Sequence, residues 1–237
     1  MATVLVVLSR AKVWTMKDGT PHPTGFWSEE FVTPHRKFTA AGFEIHIATS
    51  GGLMPTVDPL SFALGYNHND QGEVDAQQAY LKQLEGVLSK PLNLADVDPA
   101  SYDVLFVVGG HGPMQDLAVD PDIGNIMVAM LDNPDKIVSA VCHGPASFLS
   151  AHRADGTWLY KGREVTGFSN EEETQATFAG NAPWLLEDRL RLAGARYVAK
   201  PAWTPHAVVD GNLITGQQNY SAGVTADAVL QKLNVPV

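Results

Sequence analysis

The 237-residue sequence predicts an α/β protein whose doubly wound, mostly parallel sheet lies between helices. Two observations carry that expectation. Short β-branched runs alternate with helical patterns along the chain, and each run is almost continuously apolar, as a strand covered on both faces must be. The crossover rule then makes each strand–helix–strand unit right-handed.

Taken in order, the first strand is read over residues 3–9 (TVLVVLS), followed by a helix over 28–41 that stops at Gly42. A strand over 43–49 (FEIHIAT) and a helix over 74–88 come next, then strands over 103–110 (DVLFVVGG) and 136–142 (KIVSAVC) with a helix over 122–132 between them. Residues 51–73 are turn-rich and read as an excursion on the rim of the sheet. Beyond residue 155 come a strand over 164–168, a helix from about Asn170 and a strand over 196–200. In HAVVDGNLIT (206–215), Asp210-Gly211 stand between two apolar runs, a strong signal for a C-terminal hairpin with a two-residue turn. A helix over 221–233 closes the chain. No repeat or linker interrupts the pattern, so residues 1–237 are expected to form one domain.

Composition narrows the function classes. The net charge of -10, with no stripe of Lys and Arg, argues against nucleic acid as a partner. The apolar run at residues 4–8 is too short for a membrane span and lacks the basic stretch of a signal peptide. Cys142 is the only cysteine, which excludes an internal disulfide and suits a reducing compartment. A cytoplasmic protein is therefore expected.

The surroundings of that cysteine carry the chemistry. In VSAVCHGPAS (138–147) the strand ends at Cys142, and Gly144-Pro145 opens the next helix, where proline is tolerated because its missing N–H has no partner there. A sharp strand-to-helix turn crowds the positions two before and two after its nucleophile, and both are small here, Ala140 and Gly144. A helix N-terminus at that point is expected to lower the thiol pKa. Gly109 and Gly110 in VVGGHGPMQDL let backbone come close to a substrate, and their N–H groups could join that of His143 around a developing oxyanion. In GFSNEEET, Ser169 and Glu172 fit a capping box, a structural task in which Gln should replace Glu172 at little cost. Pro34 within the 28–41 helix is expected to kink it beside Glu30. The eight histidines show no strong ligand spacing, and no catalytic metal is expected.

The segments AVCHGP, VVGGHGPM, VTGFSNEEE and VVDGNLITGQ, in that order over nearly the whole chain, resemble the PfpI-type branch of the class I glutamine amidotransferase-like superfamily. The likeness is strongest to its glyoxalase III and heat-shock chaperone-like members. It implies a flavodoxin-like sandwich, a homodimer, and cofactor-independent conversion of methylglyoxal or related 2-oxoaldehydes to 2-hydroxy acids such as lactate. It further implies Cys142 as nucleophile, His143 as the adjacent triad histidine, Glu173 as the triad carboxylate and Glu30, five residues after Gly25, as the carboxylate beside the thiol. Other activities described among such members are holdase action on unfolded proteins, removal of glycation adducts from proteins, and cysteine peptidase activity. Glutaminase chemistry is disfavoured, because the late histidine reads His206-Ala207-Val208 where an H-x-E pair would be needed.

Overall fold

The computed structural model describes residues 2–237. In chain order its strands are β1 (Thr3–Val7), β2 (Val13–Thr15), β3 (Pro21–Pro23), β4 (Glu44–Thr49), β5 (Leu92–Asn93), β6 (Val104–Val107), β7 (Ile137–Val141), β8 (Glu164–Val165), β9 (Arg196–Tyr197), β10 (Ala207–Asp210) and β11 (Leu213–Gly216). Its α-helices are α1 (Ser28–Ala40), α2 (Gln71–Gln83), α3 (Glu85–Leu88), α4 (Gly112–Gln115), α5 (Pro121–Leu131), α6 (Asn170–Gln175), α7 (Leu186–Ala193) and α8 (Ala222–Lys232).

Seven strands form the main sheet, in the order β10-β11-β7-β6-β1-β4-β5. Every neighbouring pair is parallel except the β10–β11 hairpin. The central strands β6 and β7 are buried along their whole length, which is why their sequences are apolar but for the small Ser139 and show no alternation. Helices flank the sheet in two groups. Helix α1 packs on α8, α2 and β4, and α8 reaches β11 and β7; α5 packs on β7 together with the segment after it, on which α7 rests.

Three local expectations shift. The hairpin register pairs Asp210 with Leu213, so the two-residue turn is Gly211-Asn212, one position later than expected from the sequence. Gly211, at φ 64, takes the left-handed turn position, while the Asp210 carboxylate accepts Arg163 Nε at 2.9 Å and the Glu164 N–H at 2.8 Å. The expected helix over 74–88 starts earlier, at an Asp70 cap, and divides into α2 and α3. Helix α1 runs on through Pro34 unbroken, with Pro34 buried inside it.

The strand order reverses between β1 and β6: the chain runs outward from β1 to β4 and β5, then returns on the other side of β1. Sheets of this kind bind ligands outside the carboxyl ends of the strands at that reversal. From sequence the reversal is expected between the strands ending near 108 and 141. It lies one strand over, but β6 is common to both, and β7 is its next neighbour. Among the described residues no helix is long and apolar enough to cross a membrane.

Candidate active site

Cys142 follows directly on β7 and has φ 60, a left-handed conformation that is strained for a residue with a Cβ. Its neighbours hold it there: the Cys142 N–H donates to Gly216 O at 3.0 Å, and its carbonyl accepts the Phe168 N–H at 2.8 Å. The small residues are required as expected. A Cβ on Gly144 would stand 2.6 Å from Val107 O and 3.4 Å from Ala140 Cβ. The segment beyond His143 departs from expectation: Gly144–Ser150 is a 3-10 helix of seven residues and not the opening of an α-helix, so no α-helix macrodipole points at the thiol.

His143 Nδ1 lies 3.4 Å from Cys142 Sγ, and its other nitrogen, Nε2, is 2.7 Å from Glu173 Oε2. The second oxygen of the same carboxylate, Oε1, pairs with His111 Nε2 at 2.8 Å. All three are buried, at 1% (His143), 2% (Glu173) and 4% (His111) exposure. An ionised carboxylate accepts only, so both Nε2 atoms carry protons and neutral His143 turns its Nδ1 lone pair toward the thiol. Cys142, His143 and Glu173 thus come together as a thiol, an imidazole and a carboxylate in a row. Glu171 is exposed.

Glu172 forms the expected capping box with Ser169, but its task is larger. Its Oε2 accepts from Ser169 N and Oγ, and its Oε1 from Trp203 N at 2.9 Å and Gln217 Nε2 at 3.0 Å. The carboxylate therefore ties α6 to two distant loops, and the expectation that Gln replaces it at little cost does not stand.

Glu30 is fully buried at the first turn of α1 and lies against the Cys142 thiol. Its Oε2 accepts the Gly109 N–H at 2.8 Å, while the Gly109 carbonyl accepts the Trp27 N–H at 3.1 Å. The backbone of this one glycine thus clamps the start of α1 over the end of β7. A Cβ on Gly109 would stand 2.6 Å from Glu30 Oε2 and 2.8 Å from Cys142 Cβ. This changes the part expected of Gly109: its N–H is engaged by Glu30. The backbone N–H groups that favour a thiolate here are those of Gly110 and His143. Gly110 sits at φ 84, and a Cβ there would meet Gly25 O at 2.4 Å.

Burial raises the Cys142 thiol, and the adjoining Glu30 adds to the rise against the opposing N–H groups of Gly110 and His143. This overturns the expectation of a thiol lowered by a helix terminus. Burial also raises Glu30 well above the usual carboxylate range. Each group opposes a charge on the other, so the resting pair keeps at least one proton at neutral pH. Burial and then the nearby His111 bring His143 down to about 4. Burial alone would raise Glu173, but the two imidazoles outweigh it and hold the carboxyl below its ordinary range.

The pocket over Cys142 is lined by Trp27, Glu30, Tyr66, His143, Phe168 and Asn219, among others. The cavity there is narrow, only about 20 Å³. A larger groove of about 570 Å³, lined by Trp158, Trp184 and Leu192, has neither Cys142 nor either of its carboxylates on its walls. His111, Tyr66 and Trp27 have no part in the site expected from sequence. His111 stands in GGHGPM directly after the glycines and is within reach of the motif; Tyr66 comes from the rim excursion, and only the fold brings it here. His111, His143 and Glu173 also form the one group of three potential metal ligands, among the described residues, whose ligand atoms lie within 4.8 Å of one another. Those atoms already pair as N–H donors and carboxylate, so a cation there would have to displace both Nε2 protons.

Residues 21–231 match the DJ-1/PfpI family. Glyoxalase 3 of Candida albicans is 29% identical over 237 residues, covering 97% of this chain and 98% of that protein. Glutathione-independent glyoxalase HSP31 of Saccharomyces cerevisiae is 29% identical over 209 residues, 86% of each chain. A crystal structure of glyoxalase III from Candida albicans superposes with a TM-score of 0.78 at 26% identity, covering 97% of this chain and 96% of that one.

Proposed function

Because this chain belongs to the DJ-1/PfpI family, we propose that it is a cofactor-independent glyoxalase that converts methylglyoxal and related small 2-oxoaldehydes to 2-hydroxy acids through a Cys142 hemithioacetal. The observation that carries the reading is the placement of Cys142 Sγ between the His143 Nδ1 lone pair and the Glu30 carboxyl in a small enclosed pocket. The names of the two glyoxalases similar to it over most of their lengths support it. The narrow pocket, walled by Trp27, Tyr66 and Phe168, favours a small aldehyde over a peptide substrate.

The steps balance without an external oxidant. The thiol proton passes to His143 Nδ1 and the sulfur adds to the aldehyde carbon, whose oxygen becomes an oxyanion facing the N–H groups of Gly110 and His143. Glu173 stabilises the imidazolium. With the proton shared by the Cys142–Glu30 pair carried off on His143, Glu30 is a carboxylate and takes the former aldehyde C–H proton, now beside a ketone, forming an enediolate. Reprotonation at the neighbouring carbon reduces it while the first carbon is oxidised to a thioester. Water cleaves the C–S bond, regenerating the thiol and releasing the 2-hydroxy acid.

The test is lactate formation from methylglyoxal by the wild type beside Cys142→Ala and Glu30→Gln. The alanine variant should make none. Glu30→Gln should lose about 10²–10⁴-fold in rate while mass spectrometry of a rapidly quenched, reduced sample still finds the adduct on Cys142. Lactate from Cys142→Ala at the wild-type rate would end the proposal.

A further inference from the structure

Two polar atoms beside Cys142, Trp27 Nε1 and Glu30 Oε1, are buried with no nitrogen or oxygen partner, and the Glu30 carboxyl meets only the Cys142 thiol besides Gly109. Trp27 is 6% exposed and Glu30 0%, and both line the pocket that contains Cys142. Trp27 is the cap residue just before α1 and Glu30 lies in its first turn, so both stand at the same end of the helix. The Gly109 backbone fixes both, taking the Trp27 N–H on its carbonyl and giving its own N–H to Glu30 Oε2. An indole nitrogen can only donate, and a carboxylate oxygen can only accept or take a proton. Leaving such groups unpaired inside a protein is destabilising, and a ligand with complementary groups would offset that cost.

A 2-oxoaldehyde has that complement. In the glyoxalase reading its aldehyde oxygen is taken by the N–H groups of Gly110 and His143, which favour charge beside the sulfur. Its second oxygen, on the ketone, has no donor among the groups that act on the aldehyde carbon, although it takes on charge when the C–H proton leaves. Resting on the glyoxalase reading, we infer that Trp27 is a catalytic residue whose Nε1–H donates to the ketone oxygen of the bound substrate and stabilises the enediolate formed as Glu30 Oε1 removes the adjacent proton. The donor and the base then address the two ends of one carbon–carbon bond. The pocket thereby selects vicinal dicarbonyls over simple aldehydes, which form the hemithioacetal but offer nothing to the indole. No bond to Trp27 forms or breaks, and it keeps its proton throughout.

The competing use of the indole edge is the face of Tyr66, whose ring centroid is 5.1 Å away at an interplanar angle of 85°. Trp27→Phe keeps the apolar ring and deletes the N–H; Trp27→His restores a ring N–H. With methylglyoxal, kcat of Trp27→Phe should fall about 10²-fold, as when one oxyanion donor is removed, with KM little changed. Trp27→His should recover part of that loss. Alkylation of Cys142 by iodoacetamide, and adduct formation with propanal, should run at wild-type rates in Trp27→Phe. Wild-type kcat in Trp27→Phe overturns the inference and leaves the indole to Tyr66. So do equal losses in the Phe and His variants, or a loss in Trp27→Phe matched by slower alkylation. If the wild type makes no lactate at all, the glyoxalase reading itself has failed, a result separate from any difference between variants.

Discussion

His111 Nε2 donates to Glu173 Oε1 at 2.8 Å, so the carboxylate that orients His143 through its other oxygen is held at both ends. A carboxylate shared in this way can serve two N–H donors only while it remains an acceptor at both oxygens. Glu173→Gln would present an NH₂ group to one imidazole and force that ring into its other tautomer. Turnover should fall about 10²–10⁴-fold, with little loss of folding stability; near-normal steady-state rates would remove Glu173 from the triad.

Glu172 carries the opposite expectation. Its oxygens accept from Ser169, Trp203 and Gln217, and an amide there would set a donor against donors in a fully buried site. Each group so stranded costs about 1–3 kcal/mol, and a chain of this size loses about 2–4 °C per kcal/mol. Calorimetry of Glu172→Gln should therefore show a Tm lower by roughly 2–12 °C. An unchanged Tm would mean that the capping box is all that Glu172 supplies.

Gly109→Ala tests how tightly the site is built. The added Cβ would approach Glu30 Oε2, Val141 O and Cys142 Cβ to within 2.6–2.8 Å. Displacing the carboxyl or the thiol by even an ångström costs about 10²-fold, and lactate assays should show a loss of that order.

The thiol's own titration depends on Glu30. Burial raises it first, but the neighbouring carboxylate raises it further, so neutralising that neighbour must lower it. The pH profile of iodoacetamide alkylation should have its midpoint at lower pH in Glu30→Gln than in the wild type. A midpoint that moves up would show that Glu30 stabilises the thiolate.

Glu29 gives a pH dependence of stability. Burial raises its carboxyl from 4.5 to about 7, with Glu73 adding to the rise and Asn219, whose Nδ2 donates to it at 2.9 Å, opposing it. A carboxyl raised on folding favours the native state below its unfolded value, and that contribution is lost as pH rises through its folded value. The window is thus about 4.5 to about 7. Glu29→Gln still accepts from Asn219 but does not ionise, so its Tm relative to the wild type should climb across that window. A constant difference throughout it would show that Glu29 titrates normally.

The layers and the reactive segment are legible in the chain itself. Nearly continuous apolar runs at 104–107 and 137–141 announce central strands, and Ala140 and Gly144 around Cys142 announce a crowded turn, because both signals depend on residues close in sequence. Motif resemblance adds Glu30 and Glu173, which the structure brings to Cys142 and His143 from α1 and α6. What those groups face is set by the fold. The reversal of strand order between β1 and β6, the second histidine on Glu173, the binding of Gly109 N–H by Glu30 and the arrival of Tyr66 from the rim all join residues far apart in sequence. The direction of the thiol's pKa belongs to the same class. Local pattern points to a helix terminus and a lowered value, whereas complete burial beside Glu30 raises it, and burial is a property of everything packed around a residue rather than of its neighbours in the chain.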